Sequence, residues 1–219
     1  MLKMLRILMI LVLSLGWAGQ ASAPAAAQEV LPPDALICSQ YGGVFITDGA
    51  GSNICYWIPP LWNKDLVVFA HGYVEPRMEV GIPWDQLVLP DGTSLPKIIN
   101  ILRYAFAVTS YSKNGLAVKE GVNAVFNLAS VFKQAYPTTR RVFLTGVSEG
   151  GLVTTLAMEK DAQSLERAFS GGLSACGPVG DFVRQMAYWG DFRLLFDHYF
   201  PGVNLNPLGV SNPAINIAP

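Results

Sequence analysis

The chain has 219 residues, and its 15 Lys and Arg residues nearly balance 16 Asp and Glu residues, which gives a formal net charge of −1. A chain without excess basic residues has no cationic stripe to meet phosphates, which argues against nucleic-acid binding. Hydrophobic residues make up 51% and charged residues 14%, a composition that predicts one globular domain with a well-buried core.

The first 27 residues have the pattern of a secretory signal peptide. Lys3 and Arg6 precede an apolar run at residues 7–15, and small residues then lead to Ala27. We expect cleavage after Ala27 and a secreted or periplasmic protein without a transmembrane segment in its mature chain. The alternative is an uncleaved membrane anchor, for which the apolar run is short.

Three cysteines follow the leader. Cys38 and Cys55 flank a glycine-rich segment that predicts a hairpin, and in an oxidising compartment they are expected to form a disulfide. Two buried thiols are the alternative. Cys176 is left over, and is expected to be buried, reactive or paired elsewhere. No metal site and no cofactor are predicted, because only His71 and His198 accompany the cysteines and no ligand spacing occurs.

The first half of the chain predicts four strands. Two short ones, at 44–46 and 54–58, surround a Gly/Asn turn. Apolar runs at 66–70 and 104–109 are typical of strands buried on both faces. Between these two lie a Pro- and Asp-rich loop and the end of a helix near 97–103.

The second half continues with an amphipathic helix at 118–132, a buried strand at 141–145 and a helix at 152–160. A weaker strand is predicted within 168–175. Strands that alternate with helices predict a mostly parallel sheet with helices on both faces.

After Pro178 the sequence becomes crowded with aromatic residues. Residues 182–200 predict one or two helices, and the segment from 201 is irregular. We therefore expect a signal peptide at 1–27, a core at 28–180, and a helical cap with an irregular tail at 181–219.

The pattern Gly146-x-Ser148-x-Gly150 stands between a buried strand and a helix. A nucleophilic serine needs such a sharp strand-to-helix turn to expose its hydroxyl, and glycines two residues on either side remove side chains that would collide. The N-terminus of the following helix is expected to point toward a developing oxyanion. The backbone N–H of Glu149, the residue after the serine, is the expected first oxyanion donor. A second signal is His71-Gly72-Tyr73 at the end of an earlier strand, where the other oxyanion donor is expected.

These two motifs resemble those of the α/β-hydrolase superfamily, in particular its secreted esterase, lipase and prolyl-oligopeptidase-like members. The resemblance covers roughly residues 66–178. It implies a three-layer fold with an eight-stranded, mostly parallel sheet, and a triad in the order Ser, Asp or Glu, His. It further implies that Ser148 is the nucleophile, that the amides of Glu149 and Tyr73 form the oxyanion hole, and that His71 holds the loop in place.

The triad histidine should follow Ser148, and only His198 does so. One interpretation makes His198 the base, oriented by a carboxylate at 181, 191 or 197. The other places His198 on a cap helix and the catalytic acid and histidine beyond Pro219. The second interpretation predicts a core that is incomplete on its C-terminal side and that exposes a sheet edge.

The resulting functional hypothesis is hydrolysis of small-molecule or lipid-like carboxylic esters through an acyl-enzyme on Ser148. Aromatic residues of the 182–200 segment would favour an apolar acyl group if they cover the nucleophile; alternatively they pack as core. The Glu149 side chain could orient a histidine or a substrate amine, or serve packing. Alternative functions are a prolyl-oligopeptidase-like peptidase, a non-catalytic binding protein that retains the hydrolase fold, and an acyltransferase. A chain that is an N-terminal fragment of a longer hydrolase would be inactive by itself.

Overall fold

The computed structural model describes residues 32–203. The predicted signal peptide and the tail from residue 204 lie outside the described residues. The described residues contain six strands and five α-helices, and strands and helices alternate from β3 onward. The strands are β1 (Val44–Thr47), β2 (Asn53–Trp57), β3 (Asp65–Ala70), β4 (Ala105–Thr109), β5 (Arg141–Val147) and β6 (Gly171–Ala175). The helices are α1 (Pro33–Gln40), α2 (Leu95–Ile101), α3 (Val118–Ala135), α4 (Glu149–Ala162) and α5 (Phe182–Tyr199), with a 3₁₀ turn at Trp84–Leu87.

The six strands form one sheet in the order β1-β2-β4-β3-β5-β6. β1 and β2 pair antiparallel, as do β2 and β4, whereas β4, β3, β5 and β6 run parallel. The central pair aligns Ala70 of β3 with Gly146 of β5. Since parallel strands end at the same edge of a sheet, the residues after Ala70 and after Val147 meet there.

Apolar side chains on the two faces of the sheet enter two separate cores. Val68 and Leu144 pack with α3 and α4 on one face, and Phe69 and Phe106 pack with α1 and the 3₁₀ turn on the other. Alternate residues of a strand point to opposite faces, so an uninterrupted apolar run such as β3 contributes to both cores. The predicted three-layer, mostly parallel α/β architecture is therefore confirmed.

Several element predictions needed correction at the ends. Helix α1 was not expected, because its short sequence has no clear apolar stripe, and α4 begins three residues earlier than predicted, directly after Ser148. Strand β6 is shorter than the 168–175 interpretation allowed. The predicted disulfide between Cys38 and Cys55 is confirmed, whereas Cys176 is exposed and outside any disulfide of the described residues.

The aromatic-rich segment forms one helix, α5, in which no residue is buried. The alternative that these aromatic side chains pack as core is therefore wrong: Tyr188, Trp189 and Phe192 are all more than half exposed. Of the helices between residues 32 and 203, none combines the length and the apolar character needed to cross a membrane.

Candidate active site

Ser148 occupies a sharp turn between β5 and α4. Its backbone angles are φ 58° and ψ −122°, a conformation that costs an ordinary residue about 1–3 kcal/mol and persists only where the surroundings impose it. Two hydrogen bonds hold the turn: the Ser148 amide donates to the Ala175 carbonyl over 3.0 Å, and the Gly151 amide donates to the Ser148 carbonyl over 2.9 Å. Neighbouring strands and the new helix thus fix the backbone on both sides of the hydroxyl.

The two glycines of the motif lie where backbones touch. A Cβ on Gly150 would collide with the Ala70 carbonyl and stand 2.6 Å from the His71 carbonyl oxygen, and a Cβ on Gly146 would collide with Gly150 itself. Helix α4 therefore starts in direct contact with the end of β3. This close approach brings the segment after Ala70 to the serine.

The His71-Gly72-Tyr73 segment passes alongside Ser148. A Cβ built on Gly72 would lie 3.6 Å from the Ser148 Cβ, which is van der Waals distance. Gln86 from the 3₁₀ turn fixes this segment: its Oε1 accepts the Gly72 amide over 2.7 Å, and its Nε2 donates to the Tyr73 carbonyl over 3.1 Å. Sequence reasoning missed Gln86, since a single glutamine in a loop carries no recognisable signal.

His71 is buried beneath this segment. Its Nδ1 donates to the Gly72 carbonyl over 2.7 Å, its ring stacks on Tyr111 with centroids 3.8 Å apart, and Tyr111 donates to the His71 carbonyl over 3.0 Å. Burial lowers the pKa of His71 below its usual value, which favours a neutral ring. All three contacts serve to hold the chain after β3.

Two backbone amides beside Ser148 remain unused. Neither the Tyr73 N–H nor the Glu149 N–H donates a hydrogen bond to any described residue. The Glu149 amide stands at the N-terminus of the 14-residue helix α4, where the helix dipole adds positive potential. Free amides next to the serine can donate hydrogen bonds to a negatively charged oxygen bound there and so stabilise it.

The structure does not bring His198 to Ser148. His198 lies exposed near the end of α5, and within residues 32–203 it forms no hydrogen bond with Ser148 or with a carboxylate. Of the three candidate acids, Asp181 caps α5 and pairs with Arg184 at 3.2 Å, Asp197 pairs with Arg193 at 2.8 Å, and Asp191 is exposed.

A cleft of about 480 Å³ opens beside the Tyr73 segment. Tyr73, Met78, Trp84 and Gln86 are among the residues that line it. A larger cleft of about 660 Å³ lies between the end of β2 and α2, and does not include Ser148, Glu149 or Tyr73 in its walls. Of these two clefts, the smaller one includes Tyr73, and neither has Ser148 or Glu149 among its lining residues.

No protein-family model matches the sequence, and no curated protein matches it. Solved structures similar to this chain include an esterase from Pyrococcus furiosus, with 19% identity over 63% of this chain and 51% of that one, at a TM-score of 0.44. A thermostable carboxyl esterase from Bacillus coagulans shares 14% identity over 75% and 53%, at 0.45. An acylaminoacyl peptidase from Pyrococcus horikoshii shares 17% over 68% and 25%, at 0.43. The chain spans about half the length of the two esterases.

The described geometry identifies the type of fold. A mostly parallel sheet carries helices on both faces, and the strand–serine–helix turn follows β5, which lies between β3 and β6. Such a turn, with glycines packed against the adjacent strand, is the structural context in which a Gly-x-Ser-x-Gly sequence carries a nucleophile. Residues 32–203 therefore have a fold of the α/β-hydrolase type.

Proposed function

We propose that this protein is a serine hydrolase that cleaves carboxylic esters through an acyl-enzyme on Ser148. The observation that carries the proposal is the strained backbone of Ser148 at the β5–α4 turn, beside two amides that donate to no acceptor within residues 32–203. Packing alone does not explain a serine at a strained turn, or why the Tyr73 and Glu149 amides near it are free to donate to a ligand.

In the proposed reaction the Ser148 hydroxyl attacks the ester carbonyl while a histidine takes its proton. The tetrahedral oxyanion accepts hydrogen bonds from the amides of Tyr73 and Glu149. The histidine then returns the proton to the departing alcohol, and water hydrolyses the acyl-enzyme by the same steps. Gln86 supports this reaction because it holds both ends of the Gly72–Tyr73 peptide segment.

His198 is the candidate base within the chain. Because it lies on α5 and does not contact Ser148, α5 would have to move toward the serine for His198 to take its proton. His71 is an unsuitable base, since only 2% of it is exposed and its ring is committed to Gly72 and Tyr111. The substrate is proposed to be a small or lipid-like ester that occupies the 480 Å³ cleft, whose volume suits a small organic molecule.

A second candidate is a non-catalytic protein that binds ligands with the same fold. The observation that favours it is that neither His71 nor His198 hydrogen-bonds to Ser148 among the described residues. The two candidates differ in whether Ser148 reacts.

A fluorophosphonate probe distinguishes them. The purified full chain is incubated with the probe, and the adduct is located by peptide mapping, with Ser148→Ala beside it and the exposed Ser130→Ala as matched control. The proposal expects an adduct on Ser148 in the wild-type and Ser130 variant proteins and none in Ser148→Ala. Folded wild-type protein without an adduct would contradict the proposal and support the non-catalytic candidate. His198→Ala in the same assay reports whether His198 is the base.

We also propose export through the N-terminal leader, a hypothesis that the Cys38–Cys55 disulfide supports because such bonds persist in oxidising compartments. N-terminal sequencing of the protein from a cell envelope or culture fluid should begin at Gln28. Recovery of the protein with an intact Met1 from the membrane would favour the anchor instead.

A further inference from the structure

Glu149, the residue that follows the serine, has its side chain inside the protein. It is only 5% exposed. Its Oε1 accepts the Ala117 amide over 2.6 Å, whereas its Oε2 is buried without a hydrogen-bond partner among residues 32–203. A buried carboxyl oxygen without a partner is costly when charged and is tolerated far better in a protonated acid.

The Ala117 contact connects Glu149 to residues 71–73, the oxyanion segment, which contains the proposed oxyanion donor Tyr73. Ala117 is the N-cap residue of α3. Its amide donates to the Gly115 carbonyl over 2.8 Å as well as to Glu149, so the Glu149 carboxyl binds the cap residue's own N–H, as the acid of a capping box does. Two residues earlier, the Gly115 amide donates to the Val74 carbonyl over 2.9 Å in a short antiparallel bridge. Val74 directly follows Tyr73, whose amide is one of the two proposed oxyanion donors.

The groups around this carboxyl contribute little positive charge. Tyr73 and Tyr111 face it from the segments after β3 and β4, and Glu120 faces it from α3. Glu120 is itself paired with Lys113 at 2.9 Å, and the His71 ring that stacks on Tyr111 is favoured as neutral by burial. No cation of the described residues forms an ion pair with Glu149.

Burial raises the pKa of Glu149 to about 7, with a smaller increase from Glu120, while the Ala117 hydrogen bond lowers it. The carboxyl thus changes its charge in the neutral range. Below that range the neutral carboxyl binds the turn at residues 115–117. Above that range Glu149 carries a buried negative charge on its side chain, while its backbone amide is one of the two proposed oxyanion donors.

We propose that Glu149 is a positioning residue that limits the reactivity of Ser148 at alkaline pH: the protonated side chain anchors the Ala117 turn without charge, and the ionised side chain opposes the oxyanion. This inference rests on the function proposed above. Two unit charges roughly 10 Å apart in a partly buried site repel each other enough to decrease the rate about tenfold. Deprotonation of the catalytic base increases the labelling rate as the pH rises in every variant. The ionisation of Glu149 is expected to appear as a decrease of the labelling rate at pH values above the maximum.

The test is the second-order rate constant of fluorophosphonate labelling of Ser148 in the full chain, measured from pH 5 to 10 in the wild type and three variants. The wild type should decline about tenfold above its maximum, and Glu149→Gln should reach a plateau without a decline. Glu120→Gln removes a negative charge on the surface and should move the decline to lower pH. Asp161→Asn changes a buried carboxylate at the other end of α4, which binds Ala168 and Phe169 amides, and should retain the wild-type profile.

A decline of equal size in Glu149→Gln, or no decline in the wild type, would overturn the inference and leave the proposed function intact. If Glu149→Gln does not fold, the Glu120→Gln variant provides the test. A labelling rate that declines at the same pH in Glu120→Gln as in the wild type would contradict the role of Glu149. Folded wild-type protein without labelling at any pH would overturn the proposed function and the inference together. A merely structural role for Glu149 would reduce the rate without changing the shape of the profile.

Discussion

Replacement of Gly150 by alanine tests the contact between the serine turn and β3. The added Cβ would overlap the Ala70 carbonyl and stand 2.6 Å from the His71 carbonyl oxygen. These are backbone atoms of a central strand and of the oxyanion segment, so neither can move without shifting the site. Helix α4 must instead retreat from β3.

The size of the effect follows from the kind of clash. Overpacking by one methyl group usually costs about 1–3 kcal/mol, and contact with rigid backbone places this variant at the upper end, at about 3 kcal/mol. For a chain of this length that lowers Tm by roughly 6–12 °C. Labelling of Ser148 should decrease at least about 100-fold, because a displacement near 1 Å is enough for that loss.

The assay combines thermal unfolding by circular dichroism with the rate of fluorophosphonate labelling. Gly190→Ala is the matched control, since a Cβ there meets no atom within 4 Å and the position lies inside α5, where alanine stabilises a helix by up to about 1 kcal/mol. A Gly150→Ala protein with wild-type Tm and wild-type labelling would refute the described packing of the turn.

Four further predictions concern polar anchors, the disulfide and pH. Gln86→Ala leaves two backbone groups of the oxyanion segment without partners and should slow Ser148 labelling about tenfold; an unchanged rate would contradict its assigned role. Asp34 is buried and accepts hydrogen bonds from Asn53, Ile82 and Trp84, so urea denaturation of Asp34→Ala should show a loss of about 3 kcal/mol or more, and a loss below about 1 kcal/mol would count against it. Alanine at both disulfide cysteines should cost about 3 kcal/mol in the same assay, with equal stability as the opposing result. The pKa of Glu149 is about 7 in the folded protein against an ordinary 4.5, so its contribution to the free energy of unfolding is complete below pH 4.5 and is lost as the pH rises through 7. Between pH 4.5 and 8 the free energy of unfolding should therefore fall by about 3 kcal/mol less in Glu149→Gln than in the wild type, and parallel stability curves would refute this.

Much of the core could be predicted because its signals are local. Apolar runs such as Leu66–Ala70 have few structural interpretations, and a serine between two spaced glycines at the end of a strand indicates the turn that was found. The same reasoning predicted the disulfide, since Cys38 and Cys55 flank a glycine-rich segment of the sequence. Each of these predictions depends on residues near one another in the chain.

What could not be predicted depends on contacts distant in sequence. Gln86 and Asp34 matter because folding brings their side chains to unpaired amides, and neither residue type indicates this in advance. The inward direction of Glu149 is similar: a charged residue at a helix start is ordinarily solvated, and its burial follows from the Ala117 turn on another element. Helix α5 was expected from its sequence, but its exposure contradicts the usual rule that aromatic residues pack inside.

The most direct test of the central claim is to trap the acyl-enzyme. The full chain is mixed with a short-chain aryl ester, quenched in acid within seconds, and analysed by intact mass and peptide mapping, with Ser148→Ala beside it. The account predicts a mass increase equal to one acyl group, located on Ser148 and absent from the variant. Ester turnover that persists in Ser148→Ala, or an acyl group located on another residue, would contradict it.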